Sequence, residues 1–196
     1  MLDIGLLIGE FIFMNKQYIV EPVVEDNVWT VHKSVGKFVS GNESASQAII
    51  ILLLCGEMKI SIEDGKDYFL KDEEMILIPA GVCFQLIVSE NSHYFKCKIQ
   101  LNSQLFTNCP LLNELIHSSV ENENSIKEDY HILPINKTIR NFLSLTEMYI
   151  EEKINSDNLF NLKKYELFHH LCYSYKKEEW VNFLKRACLT ANYNLS

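Results

Sequence analysis

Residues 57–70 read EMKISIEDGKDYFL, and their alternation decides the fold. Met58, Ile60 and Ile62 fall on one side of an extended chain and Glu57, Lys59, Ser61 and Glu63 on the other, so one face is buried and one is wet. Asp64-Gly65 follows at once, a dipeptide that takes the left-handed angles of a tight hairpin, and DYFL begins the return strand. Before the hairpin lies AIIILLLC (48–55), closed by Gly56; it is too short to cross a bilayer and reads as a central strand covered on both faces. After it come EMILIP, CFQLIV and HYFKCKIQL, the last with His93, Phe95, Cys97, Ile99 and Leu101 on one side and Tyr94, Lys96, Lys98 and Gln100 on the other. Residues 17–101 therefore form a run of short antiparallel strands, which implies a barrel or sandwich.

Beyond Leu101 the period changes from two to that of a helix. A loop-rich stretch holds one short helix candidate, PLLNELI (110–116), and leads to Pro134. Ile135, Ile139, Phe142, Leu143, Tyr149 and Ile150 then recur on one helical face. Asn155-Ser156-Asp157 supplies stop and N-cap chemistry for a second helix over 158–174. A third runs over 176–188 with Trp180, Phe183, Leu184, Ala187 and Cys188 on one stripe. Strands come first and helices after, an α+β order with no internal repeat.

The chain has 196 residues, 47% of them apolar and 22% charged, enough for one well-buried core or a core with a small appendage. Its formal net charge of −8 repels phosphate, and no window carries the Lys/Arg stripe of a duplex-DNA binder, so no direct nucleic-acid contact is expected. Cys55, Cys83, Cys97, Cys109, Cys172 and Cys188 show no Cys-x-x-Cys spacing, which suits a reducing cytoplasm. The opening MLDIGLLIGEFIFM has no basic leader and contains Asp3 and Glu10, so neither secretion nor a membrane anchor is expected; Met14 is an alternative start.

LFHHLCY (167–173) raises the question of a metal. Adjacent helical residues point about 100° apart, so His169 and His170 do not converge on one ion, and His169 with Cys172 would need further ligands from elsewhere. On the helical wheel Tyr165, Leu167, Phe168, Leu171, Cys172 and Tyr175 share an apolar arc, with His169 at its edge and His170 on the polar side beside Lys163 and Glu166.

LKKYELFHHLCYSYKKEEWVNFLKRA (162–187) resembles the helical segment that follows the N-terminal domain in AraC-type transcription regulators, especially those of Bacteroidetes. LPINKTIRNFLSL (133–145) resembles the helix before it, and YIVEP (18–22) resembles the start of that domain; the resemblance spans Gln17 to Cys188. It implies a cupin-like β-barrel, a double-stranded β-helix or jelly roll, that senses a small-molecule effector, a sugar or another metabolite, and mediates homodimerisation. The family's DNA-binding module has two helix-turn-helix motifs, and the stretch after Cys188 is too short for one. The resemblance therefore implies the sensing half of a regulator, either as a piece of a longer protein or as a natural protein without its DNA-reading half. The expected divisions are an N-terminal extension (1–16), the barrel (17–105), a helical packing and dimerisation segment (106–190) and a tail (191–196).

Catalytic cupins hold a metal with His-x-His, a glutamate and a histidine downstream of a Pro-x-Gly turn. Pro79-Ala80-Gly81 matches the turn, but Phe84 stands where the last histidine would be, Glu73 replaces the motif's leading glycine, and no histidine lies between His32 and His93. No metal, no cofactor and no catalysis are therefore expected. Gly-x-Ser-x-Gly and phosphate-cradling loops are absent from the sequence, and Glu73-Glu74 reads as a solvated turn. For a ligand site inside the barrel the alternation nominates Trp29, His32, Phe84, His93 and Phe95, against the reading that they only fill the core. For a dimer seam it nominates Phe142, Tyr149, Trp180, Phe183 and Leu184, which serve equally as intramolecular core. Two other readings compete: a cupin-fold enzyme working without metal, and a stand-alone interaction protein that heterodimerises with a full-length regulator.

Overall fold

The computed structural model describes residues 18–20, 28–100, 129–154 and 156–193. The expected extension at 1–16, the helix candidate at 110–116 and Cys109 lie outside them. Eleven strands are present among the described residues: β1 (Tyr18–Val20), β2 (Trp29–Lys33), β3 (Phe38–Val39), β4 (Glu43–Ser44), β5 (Ala48–Cys55), β6 (Met58–Ile62), β7 (Asp67–Leu70), β8 (Glu74–Ile78), β9 (Cys83–Val88), β10 (His93–Ile99) and β11 (Ile132–Pro134). Three helices come after them: α1 (Lys137–Glu151), α2 (Asp157–Ser174) and α3 (Lys177–Tyr193).

The strands form two antiparallel sheets. The first has the order β1-β2-β10-β5-β8-β11; the second has the order β3-β9-β6-β7, with β4 beside β9. From β5 onward the chain passes between the sheets, making β6 and β7 in the second, β8 in the first, β9 in the second and β10 in the first. Because β10 pairs with β5 while β9 pairs with β6, two long arms are wound together, the jelly-roll arrangement expected from the sequence. The hairpin at 57–70 forms as read, with Met58, Ile60 and Ile62 buried and the turn closed by Gly65 at φ 82 and by Gly65 N–H to Ile62 O at 2.9 Å. Strand β11 comes from the end of the loop-rich stretch before the first helix: it pairs with β8 and carries the chain from the barrel edge into α1.

Two apolar layers result. Ile49, Ile51 and Leu53 of β5 meet Met58, Ile60, Phe84, Leu86 and Val88 between the sheets. Ile50 and Leu52 of the same strand join Trp29, Phe95 and Cys97 on the opposite side, where all three helices pack. AIIILLLC is covered on both faces for this reason, as its unbroken apolar run predicts. Asn136 caps α1, its side chain accepting from Ile139 N–H at 3.0 Å, and Ser156 caps α2, accepting from Leu159 N–H at 3.3 Å.

The helical layer uses most of the residues nominated for a dimer seam. Phe142, Trp180, Phe183 and Leu184 are buried in the chain's own core, where each contributes about 1.5–3 kcal/mol, so withdrawing them to meet a partner would cost more than a surface contact returns. Tyr149 is half-buried under the Lys163 ammonium, 5.4 Å from its ring centroid. The placement of the two histidines is also revised. His169 is exposed and stacked on Tyr173, whereas His170 turns inward with its ring 5.5 Å from that of Phe142. Lys163 and Lys164 are buried, which rotates the packed arc of α2 toward residues the sequence marks as polar.

Candidate functional site

On β2 the side chains alternate between the two layers. Trp29 and Val31 belong to the helix-facing core, and Lys33 reaches α1. Thr30 and His32 consequently point into the barrel. On β10 the same parity sends Phe95 and Cys97 to the helices and Tyr94 into the barrel core. Register then brings the inward residues of the two strands together, with Tyr94 opposite His32 and Lys96 opposite Thr30. The five residues nominated for a ligand site therefore do not form one group. His32 and Phe84 face the barrel interior; Trp29 and Phe95 pack under the helices, and His93 lies on that same side against Glu147. Trp29 is a docking residue, its indole N–H donating to Phe160 O at 3.2 Å.

The inward residues make a compact polar patch. The His32 ring stacks on Tyr94 with centroids 4.6 Å apart and planes 10° apart, and its Nε2 lies 3.0 Å from Thr30 Oγ1. Lys96 Nζ donates to both carboxylate oxygens of Glu43, at 2.8 and 2.7 Å. Since β4 belongs to the second sheet and β10 to the first, this ion pair ties the sheets together, with Phe84 in register beside Glu43. Lys96 is 15% exposed and Glu43 31%, so the pair sits at a partly screened rim, not in the dry centre. Burial, helped by the Lys96 charge, pushes His32 down to about 4, so at neutral pH it is an uncharged imidazole able to donate or accept. Burial and the Glu43 carboxylate push the Tyr94 phenol up, keeping it protonated.

One ion pair and three neutral hydrogen-bonding groups, two of which are the stacked rings of His32 and Tyr94, thus lie together beside a mainly apolar barrel core. They suit recognition of a small polar molecule. Among the described residues no group of three or more His, Cys, Asp or Glu side chains converges as metal ligands would. A surface trough of about 650 Å³ lies elsewhere, over Lys59, Phe69 and Ile87 on the outer side of the second sheet.

Of this patch only His32 is legible in the sequence. Alternation along β10 marks Tyr94 and Lys96 as wet, because it implies one buried side and one exposed, and it gives Thr30 no role. The signal that identifies them is the apolar run of β5: a strand covered on both faces requires layers on both sides of its neighbour β10 as well.

No family profile matches the chain, and no curated protein matches it. Among solved structures it is similar to a DUF861 family protein from Thermotoga maritima, at 19% identity and TM-score 0.31 over 36% of this chain and 78% of that one. It is similar to a cupin superfamily protein from Desulfitobacterium hafniense, at 14% identity and TM-score 0.34 over 39% of this chain and 72% of that one. It is also similar to apo ToxT from Vibrio cholerae, at 10% identity and TM-score 0.46 over 79% of this chain and 58% of that one, so the chain spans less than two thirds of ToxT. The chain's own strand order, two antiparallel sheets followed by three helices among the described residues, is that of an α+β cupin-like fold.

Proposed function

We propose that this chain is the effector-sensing and dimerisation domain of an AraC-type transcription regulator, non-catalytic and without DNA contact of its own. The observation that carries the reading is the Thr30, His32, Tyr94 and Lys96 wall, closed by Glu43, inside a cupin-like barrel. Tyr94 is buried and Thr30, His32, Lys96 and Glu43 are half-buried, so the polar groups gather at the edge of the barrel core, where a small polar ligand can reach them. The segments that resemble the regulators' helices, 133–145 and 162–187, contribute to the layer packed on the barrel's outer face. Phe84, at the position of a catalytic histidine, is 2% exposed and part of the apolar interior, which supports a binding role over a chemical one.

The test is a thermal-shift and calorimetric screen of the chain against sugars and other small metabolites. A cognate ligand raises the melting temperature, by about 2.7 kcal/mol of added stability at a hundredfold excess over Kd, and Lys96→Met abolishes the rise. A wild-type chain that no compound stabilises removes the sensing reading. Turnover of a bound compound replaces it with the metal-independent enzyme, and co-purification with a longer regulator replaces it with the heterodimerising interaction protein.

A further inference from the structure

We infer that the neighbouring pairs His32-Lys33 on β2 and His93-Tyr94 on β10 couple the inner polar wall to helix α1, so that occupancy of the barrel is read as tightening or release of that helix. The inference rests on the sensing role proposed for the inner wall and adds how the site is read out. Its basis is a cross-strand arrangement with one pair on each face. Tyr94 is in register with His32, and the next pair along the ladder is His93 with Lys33. The first pair stacks inside the barrel; the second pair emerges under α1.

There the outer pair grips one turn of the helix. Lys33 Nζ lies 2.6 Å from Glu147 Oε1 and 2.9 Å from Glu151 Oε1, and His93 Nε2 lies 3.2 Å from the same Glu147 oxygen without hydrogen-bond alignment. Glu147 is 15% exposed and His93 19%, so the centre of this clasp is shielded. The other end of α1 is held separately, through the ion pair of Arg140 with Glu73, the residue before β8, whose carbonyl also accepts from Ile135 N–H. One end is thus fixed to β8, and the other depends on residues directly bonded to the inner wall.

The ladder on the β5 side is irregular at this point. Between His93 and Tyr94 the pairing of β10 with β5 shifts register, His93 lying opposite Cys55 and Tyr94 opposite Leu53. The extra residue, Leu54, belongs to β5, and a bulge bends the strand that carries it and leaves one residue unpaired, while β10 keeps unbroken register with β2. A ligand that displaces the His32–Tyr94 stack therefore acts on His93 and Lys33 through the unbroken register of β2 with β10, and the Glu147 clasp changes between two discrete states, made and broken.

The experiment needs no effector. Hydrogen–deuterium exchange of the whole chain is followed in peptides covering residues 144–151, in wild type, His32→Gln, Glu147→Gln and the double variant. His32→Gln is expected to raise exchange in that segment by about threefold or more, Glu147→Gln to do the same, and the double variant to add nothing further. Leu70→Val, an interior change on the other sheet away from the wall, is expected to leave the segment at the wild-type rate. If His32→Gln fails to fold, Thr30→Val disturbs the same wall through the Thr30–His32 contact. Unchanged exchange in the inner-wall variant, or multiplicative effects in the double variant, overturns the coupling. Either result leaves effector binding standing, whereas a silent ligand screen with a non-additive cycle removes the sensing role and keeps the coupling.

Discussion

At the scale of single residues, a shift of one position decides whether a side chain meets the barrel interior or the helices. Trp29 and His32 are three apart on one strand and so face opposite layers, and they cannot belong to one pocket. His32 also gives the molecule a defined acid sensitivity. Its folded value of about 4 lies below the ordinary 6.5, so between those limits the unfolded chain binds more protons than the folded one. The stability it contributes is full above 6.5, falls as the solution is acidified and levels off below 4, a loss of about 3 kcal/mol at most. Burial lowers His93 against the opposing Glu147 charge, so its acid dependence has the same sign. Urea unfolding of wild type and His32→Gln at pH 7, 5.5 and 4.5 separates the two histidines. The wild type is expected to lose about 2–3 kcal/mol more than the variant over that range, and equal losses would assign the dependence elsewhere.

At the scale of elements, turns and caps are the most readable features. Gly56, which closes the β5 run, has φ 97, and its N–H donates to Asp72 Oδ1 at 2.6 Å as the chain leaves one sheet for the other. A Cβ at this position would lie 2.9 Å from Ser92 Cα, so Gly56→Ala is expected to cost about 2 kcal/mol or more by chemical denaturation. Gly41→Ala, with open space around it and no left-handed angle, is the matched control and is expected to change little. Glu73, at the position of the motif's missing glycine, does adopt a glycine-like φ of 62, and its ion pair with Arg140 of α1 is one interaction holding it there. The rotation of α2 is not readable. Lys163 and Lys164 lie on its packed side, the Lys163 ammonium 5.3 Å from the Phe142 ring centroid, and a helical wheel counts them as polar.

At the scale of the whole molecule, what remains exposed matters more than what is apolar. With Phe142, Trp180, Phe183 and Leu184 committed to the interior, the apolar side chains left on the outside of α1 and α2 are Leu145 (38% exposed), Met148 (43%), Leu162 (64%) and Tyr173 (85%). A symmetric dimer of this chain is expected to use that surface. Sedimentation should show self-association that Leu162→Lys weakens about tenfold or more without lowering the melting temperature. A wild type that stays monomeric at high concentration would count against the seam. No described helix is long and apolar enough to cross a membrane.

The sequence alone determined the local structure: period two through residue 101, period 3.6 after Pro134, the turn at Asp64-Gly65 and the cap at the start of α2. Each of these depends on a residue and its near neighbours along the chain. Only the tertiary structure decided which strand face is the inside, because the helices cover the outer face of the first sheet and leave β10 without a wet side. The polar wall of Thr30, His32, Tyr94, Lys96 and Glu43 is assembled from β2, β4 and β10 by register and by the closure of two sheets, and no spacing along the chain encodes that meeting.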